Sequence, residues 1–504
     1  MLLIATQWSF LPLPGIHADE AFFVAPFLRN RPALYSWTIF GHHVAVMAMS
    51  YVGALKSWLY WPVFHIWMPG VWSMRVPVSL LSGLSLILFV DLIRQATGLR
   101  IALAAGLLLA TDAVFVLMNV FDITVPLLLL GMAVFLNVLC RFAATGRRRL
   151  LVTAFLAAGL ALWYKAVFVF PLAGVLTAFV LVYPQEVRQY LTRRNLLMSA
   201  LSLCIGAAPL IVFNLASGWD TVRTAPKLLK TPLAEKALML ELTLNGRALE
   251  HYMVRSSFDD TISVSGAPLG DLVLSWYRRS HFLPGSLLVY AVGLSFAVLP
   301  FLRGARLFRP LLFAWIAGVV TIGSMWMLRD AGSGPHHTIL CYPAPHFLVA
   351  ATGAALLQRL PVRASSVMKV LLAVLVGFNM WLLAEYYRAA RVNGFSVYWT
   401  NGMGSLADVI SAQPLPVVCL DWGICSGLQI EVHDGVPFLD DATPREGVLF
   451  VSHCDDSIID VARTSQFQEA LATSGLRVKS RQVVPDKQGR PVFCLFRLVS
   501  PSEA

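Results

Sequence analysis

Residues 15–77 gather side chains that a plain connecting loop has no structural need for. They include an adjacent carboxylate pair (Asp19, Glu20), a histidine pair (His42, His43), one lysine (Lys56) set among Tyr51, Trp58, Tyr60 and Trp61, and Arg75 where a long apolar run begins. An exposed aspartate is ionised at neutral pH, so with correct placement it removes a proton from a hydroxyl whose oxygen attacks an electrophilic carbon. The same dipeptide also reads as a helix start, with Asp19 as N-cap and Glu20 favoured by the helix dipole. Lys56 reads either as a cation placed for a lipid headgroup or as a lysine snorkelling from an interfacial helix.

Further along, Asp122 opens an apolar run in NVFDITVP. An ionisable group there is costly in a membrane and generally functional, although the position also suits an N-cap. Asp112 lies inside an apolar run, placed to pair with a neighbouring helix, and Lys165 falls in a short turn that reads as interfacial. His336 and His337 precede TILCYPAP, which contains Tyr342. His42, His43, His336 and His337 are the one set that invites a metal, and no carboxylate spacing enforces it.

What must position these residues is a membrane scaffold. The 504 residues are 57% hydrophobic and only 13% charged, with a mean hydropathy of +0.69, far from soluble composition. Apolar runs near 1–14, 72–93, 101–118, 123–140, 150–163, 166–183, 196–215, 284–302, 310–328, 338–357 and 367–386 predict about eleven transmembrane helices. The first run has no basic leader and no small-residue cleavage site, so it does not read as a cleaved signal peptide. The formal net charge of +11 comes largely from arginines in alternate connectors, such as Arg94 and Arg100 or Arg147, Arg148 and Arg149. That is the positive-inside pattern for a cytoplasmic N-terminus, so the charge does not point to nucleic acid. The outer side then receives loops 15–71 and 216–283 and everything after Glu385.

Within the second loop, Leu233, Ala237, Leu240, Leu244 and Ala248 recur at helical spacing. Such a helix lies along the interface and walls a lateral opening for a lipid, or is a solvated connector. From 387 to 504 the composition becomes that of a small extracytoplasmic α/β domain capping the transmembrane domain 1–386. PVVCLDW and GVLFVSH predict strands, SLADVISAQ and SQFQEALATSG helices, and 476–499 two strands about a Pro/Gly turn. Asp421, Trp422 and Gly423, at a strand end, are placed to line the cavity mouth. Cys419, Cys425, Cys454 and Cys494 allow one or two disulfides, with three full connectivities open, while Cys140, Cys204 and Cys341 read as packing residues within spans.

The order of these features resembles the integral-membrane glycosyltransferases of the GT-C fold: an outer Asp19-Glu20, then YVGALKSWLYWP, MRVP, ATD ending at Asp112, and FD ending at Asp122. The similar branch contains protein O-mannosyltransferases, the lipid A aminoarabinose transferase and bacterial transferases acting on lipopolysaccharide cores. The resemblance implies a polyprenyl-phosphate sugar as donor and transfer with inversion to a hydroxyl of a glycan, lipid or protein. Asp19 matches the catalytic acid of the first outer loop, here the general base, and Glu20 orients the acceptor or supports Asp19. Lys56 matches a lysine that contacts the donor phosphate, with Tyr51 beside it. Arg75 is a second phosphate contact or a helix-end anchor. Asp122 matches an acid facing the cavity, and His336, His337 and Tyr342 match the polar turn near the donor pocket. A divalent cation is the one cofactor left open. The large luminal domain of the O-mannosyltransferases is missing here, which fits the bacterial branch and a plasma-membrane enzyme with its site on the extracytoplasmic side. The alternative is a transporter or flippase of a lipid-linked sugar, against which stand the absence of repeated halves and the clustering of ionisable residues at outer turns.

Overall fold

The computed structural model describes all residues except 29–32, 122–123, 225–230, 251, 255–285, 329–330, 359–361, 433–434, 455–463 and 502–504. Each predicted apolar run contains helix among the described residues, and the straight helices do not by themselves reproduce the count of eleven. Among the described residues five helices are long and apolar enough to cross a membrane: Val71–Thr97, Val125–Thr145, Phe308–Trp326, Pro335–Leu357 and Lys369–Val392. Two bent pairs raise this to seven, Ala166–Val182 with Pro184–Tyr190 at 104° and Arg193–Gly206 with Ala208–Ala216 at 66°. Each break falls at a proline-containing junction, where helical geometry cannot continue. The run 101–118 divides at Asp112, whose carboxylate caps the helix Ala113–Met118 by accepting the Phe115 N–H at 2.8 Å.

The helices close on small residues. A Cβ on Gly159 would fall 2.9 Å from the Gly206 Cα and 2.3 Å from the Leu203 carbonyl oxygen, so Arg148–Tyr164 and Arg193–Gly206 touch backbone to backbone. With no water to drive burial in a bilayer, such close van der Waals contact is what holds spans together.

The segment 15–71 is more ordered than a loop. It contains the helix Ala18–Phe22, a three-stranded antiparallel sheet of β1 (Tyr35–Ile39), β2 (His42–Met49) and β3 (Val52–Gly53), and the helix Leu55–Ile66. Phe40 and Gly41, both at positive φ (50° and 80°), make the hairpin turn. The expected helix of the second outer loop is present as Leu233–Leu244. The C-terminal region forms a four-stranded sheet in the order β4 (Val417–Cys419), β5 (Leu449–His453), β7 (Pro491–Val499), β6 (Arg477–Pro485), parallel only between β4 and β5. Helices Met403–Ser411, Ile424–Val432 and Ser465–Ser474 pack with it. Of the three open connectivities, the pairs Cys419–Cys425 and Cys454–Cys494 are formed.

Candidate active site

Asp19 is not the N-cap of its helix. His17 is: its Nδ1 accepts the Asp19 N–H at 3.1 Å, and its own N–H donates to Glu20 Oε2 at 3.0 Å, a capping box with histidine in the usual serine position. The imidazole stacks on Trp399, centroids 4.4 Å apart. Because Nδ1 must accept, the ring is neutral, and burial indeed pushes its pKa below the usual histidine range. The cap leaves the Asp19 side chain at the second position of the helix, half-buried, with no protein hydrogen bond to its carboxylate among the described residues.

Glu20 and Arg75 are committed elsewhere. The Arg75 guanidinium, with no exposed surface, grips Glu20 through Nε to Oε1 (2.8 Å) and Nη2 to Oε2 (2.6 Å). Its remaining N–H groups donate to the carbonyls of Leu11, Pro14 and Gly15 at 2.7, 3.0 and 2.7 Å, and its plane lies over Phe121, 5.0 Å from the ring centroid. All five donors of the guanidinium are occupied. Of the two readings of Arg75, phosphate contact or helix-end anchor, this geometry fits the anchor, tying the helix Ala18–Phe22 to Val71–Thr97. Of the two readings of Glu20, it fits support of Asp19, since both carboxylate oxygens accept from Arg75 and the cap.

Around Asp19 stand cations and hydroxyls from four separate segments. Lys56, almost fully buried, holds its ammonium 4.6 Å from the Phe23 centroid and 5.7 Å from that of Tyr60. Burial pulls its pKa down, against the charges of Glu20 and Asp19. Lys165, between the helices Arg148–Tyr164 and Val169–Val182, donates to Thr124 Oγ1 at 2.8 Å, and burial lowers it while Asp19 raises it. The backbone of Tyr51–Val52 fastens this turn to the first loop, Tyr51 O accepting the Ala166 N–H at 3.0 Å. The Tyr51 ring itself is 39% exposed, its hydroxyl pKa raised by partial burial and by Asp19. Tyr252 sits 3.2 Å from His336 Nδ1 through its hydroxyl, and burial, with the Asp19 charge, raises it too. His336 and His337 lie ring against ring, 4.1 Å apart, and His337 Nδ1 is buried without a hydrogen bond.

The charge of Asp19 thus acts on Lys56, Lys165, Tyr51 and Tyr252, and Tyr252 in turn meets His336, with His337 against it. Tyr342 has other partners: 2% exposed, its hydroxyl lies 3.1 Å from the Thr243 carbonyl and 3.4 Å from Asp112 Oδ2. Asp112 pairs across helices as expected, with His346 Nε2 at 3.2 Å. Asp122 lies outside the described residues. His42 and His43 are exposed on β2, and among the described residues no three His, Cys, Asp or Glu side chains converge as metal ligands. His17, Lys165 and Tyr252 are the members that the sequence reading passed over. Only Lys165, a lone cation in an otherwise apolar turn, carried a signal, and it was read as interfacial.

Residues 53–213 match the family model of dolichyl-phosphate-mannose-protein mannosyltransferases. Among solved structures, ArnT from Cupriavidus metallidurans bound to undecaprenyl phosphate aligns over 98% of this chain and 96% of its own, with a TM-score of 0.56 at 15% identity. The oligosaccharyltransferase of Archaeoglobus fulgidus, in complex with zinc and sulfate, aligns over 90% of this chain and 68% of its own, with a TM-score of 0.51 at 11% identity. No curated protein matches the sequence. At these identities the structural likeness carries the fold.

Proposed function

From the premise that this multi-pass membrane chain has the GT-C fold of glycosyltransferases that draw on polyprenyl-phosphate sugars, we propose that it transfers a sugar from such a lipid to a hydroxyl acceptor, with Asp19 as general base. The observation that carries this reading is the contrast between the two adjacent carboxylates. Glu20 is locked by Arg75 and the cap, whereas the Asp19 carboxylate has no protein partner among the described residues and its charge acts on Lys56, Lys165, Tyr51 and Tyr252.

The chemistry is one displacement. Asp19 takes the proton of the acceptor hydroxyl as its oxygen bonds to the anomeric carbon. The carbon–oxygen bond to phosphate breaks on the opposite face, its electron pair leaving with the polyprenyl phosphate, so configuration inverts. Lys56 and Lys165 would draw the phosphate into place and offset its charge as it leaves; their burial makes each charge count for more than at a surface. The disulfides Cys419–Cys425 and Cys454–Cys494 support an oxidising, extracytoplasmic setting for the cap and hence for the site beneath it.

The test is sugar transfer in proteoliposomes supplied with labelled polyprenyl-phosphate sugars and a crude membrane acceptor. Asp19→Asn, close in shape but unable to take the proton, is expected to lower the rate at least ~100-fold, the lower end for a lost general base. Transfer at the wild-type rate by Asp19→Asn removes the base. Label crossing the bilayer without transfer supports the transporter instead.

A further inference from the structure

We infer that Trp422 and Tyr398 of the C-terminal region form a subsite for a neutral sugar unit, which holds the acceptor glycan beside Asp19. The inference rests on the transferase reading above and names the chemical class of its acceptor.

Trp422 follows β4 on a loop that the Cys419–Cys425 disulfide closes into a short ring. The loop is pressed onto the helix of Asp19. Gly423 adopts φ +88°, and a Cβ there would lie 3.1 Å from that of Ala18, so a larger residue is disfavoured by both backbone and space. Trp422 meets His17 edge-on at 5.8 Å and Phe22 at 6.4 Å, so it borders Asp19 in sequence on both sides. Yet the indole stays 53% exposed, and Tyr398, 5.9 Å away in a T-shaped arrangement, is 43% exposed. A tryptophan held in a disulfide-closed loop and a tyrosine beside it, both left open to solvent, leave apolar area unused in the free protein.

The cavity they border is also lined by Ala18, Met403, Gly423 and His453. It offers apolar faces and one polar atom without a partner, the Tyr398 hydroxyl, which has no hydrogen bond among the described residues. His453 closes its floor: 3% exposed, it is held by Asp421, whose Oδ2 accepts its backbone N–H at 2.6 Å and lies 3.3 Å from its Nδ1.

This combination selects among the acceptors. A pyranose presents an apolar C–H face to an indole and hydroxyls at its rim, which matches exposed rings beside the open Tyr398 hydroxyl. A phosphorylated headgroup calls for Arg or Lys, and the described lining has neither. An acyl chain has no use for the hydroxyl.

The test is saturation-transfer NMR on the full chain in nanodiscs, with methyl hexopyranosides and neutral hexose disaccharides as probes and a short acyl glycoside and an uncharged serine peptide as competitors. The expected result is saturation of the neutral sugars, weakened roughly tenfold in Trp422→Ala, largely kept in Trp422→Tyr, and unchanged in Asp19→Asn. Tyr398→Phe, which removes only the hydroxyl, is expected to weaken binding a few-fold and serves if Trp422→Ala does not fold. Equal saturation in wild type and both variants, no saturation of any sugar, or displacement by the peptide overturns the subsite. Sugar binding that survives in a protein with no transferase activity keeps the subsite and removes only the transferase reading.

Discussion

Arg75 is where a substrate-binding residue and an internal anchor give opposite results, so it merits the fullest prediction. Its guanidinium satisfies one buried carboxylate and three buried carbonyls at once. Removing one partner of a fully buried ion pair costs about 3–5 kcal/mol, because the other charge is left without solvent. Each carbonyl deprived of its donor adds about 1 kcal/mol at the low end. Arg75→Leu should therefore destabilise the outer region by more than most single substitutions, and Arg75→Lys only somewhat less, since one ammonium cannot span five acceptors in a plane.

The pair also predicts non-additivity. Glu20→Gln with Arg75→Gln removes both charges, so the double variant should be more stable than the sum of the singles by about 1–3 kcal/mol. The assay is thermal unfolding in detergent, ranked by midpoint, beside transfer kinetics with donor and acceptor varied separately. An anchor predicts a lowered midpoint and a lowered kcat, from displacement of Asp19, with the donor KM little changed. A wild-type midpoint for Arg75→Lys with a donor KM raised tenfold or more refutes the argument and restores the phosphate contact.

Three further outcomes follow from the same geometry. Lys56→Gln should raise the donor KM and lower kcat together by roughly 10-fold or more, with a smaller change in midpoint than Arg75→Leu, whose loss deprives five acceptors at once; kinetics and unfolding read this directly. His17 should make the cap acid-labile. Burial lowers its pKa in the folded chain, so the unfolded chain takes up a proton near pH 6.5 that the folded one refuses; stability is full above that pH and falls below it by up to about 1.4 kcal/mol per unit, and unfolding midpoints of His17→Asn should show a flatter slope between pH 7 and 5. Reducing or replacing the Cys419–Cys425 pair should free the Trp422 loop and raise the acceptor KM while leaving the donor KM unchanged, as single-substrate kinetics with Cys419→Ser plus Cys425→Ser would show.

How far the sequence could be read depends on which interaction decided each residue's place. The apolar runs and the terminal domain were legible because their signals are local: GVLFVSH becomes β5 and SQFQEALATSG the helix Ser465–Ser474 from pattern alone. Straight helices are interrupted where a local polar preference overrides hydropathy, as at Asp112, or where proline bends the chain after Tyr183. Within the site, an Asp-Glu dipeptide does not say which carboxylate is spent. That choice was made by Arg75, more than fifty residues on, whose fork found both oxygens of Glu20, and by a histidine acting as cap. Tyr252 was unreadable for the same reason, because only tertiary folding brings the mid-chain loop to His336. The two carboxylates consequently divide their roles by partner and not by type. The one with both oxygens engaged holds the turn rigid, and that rigidity is what lets its neighbour stand without a partner.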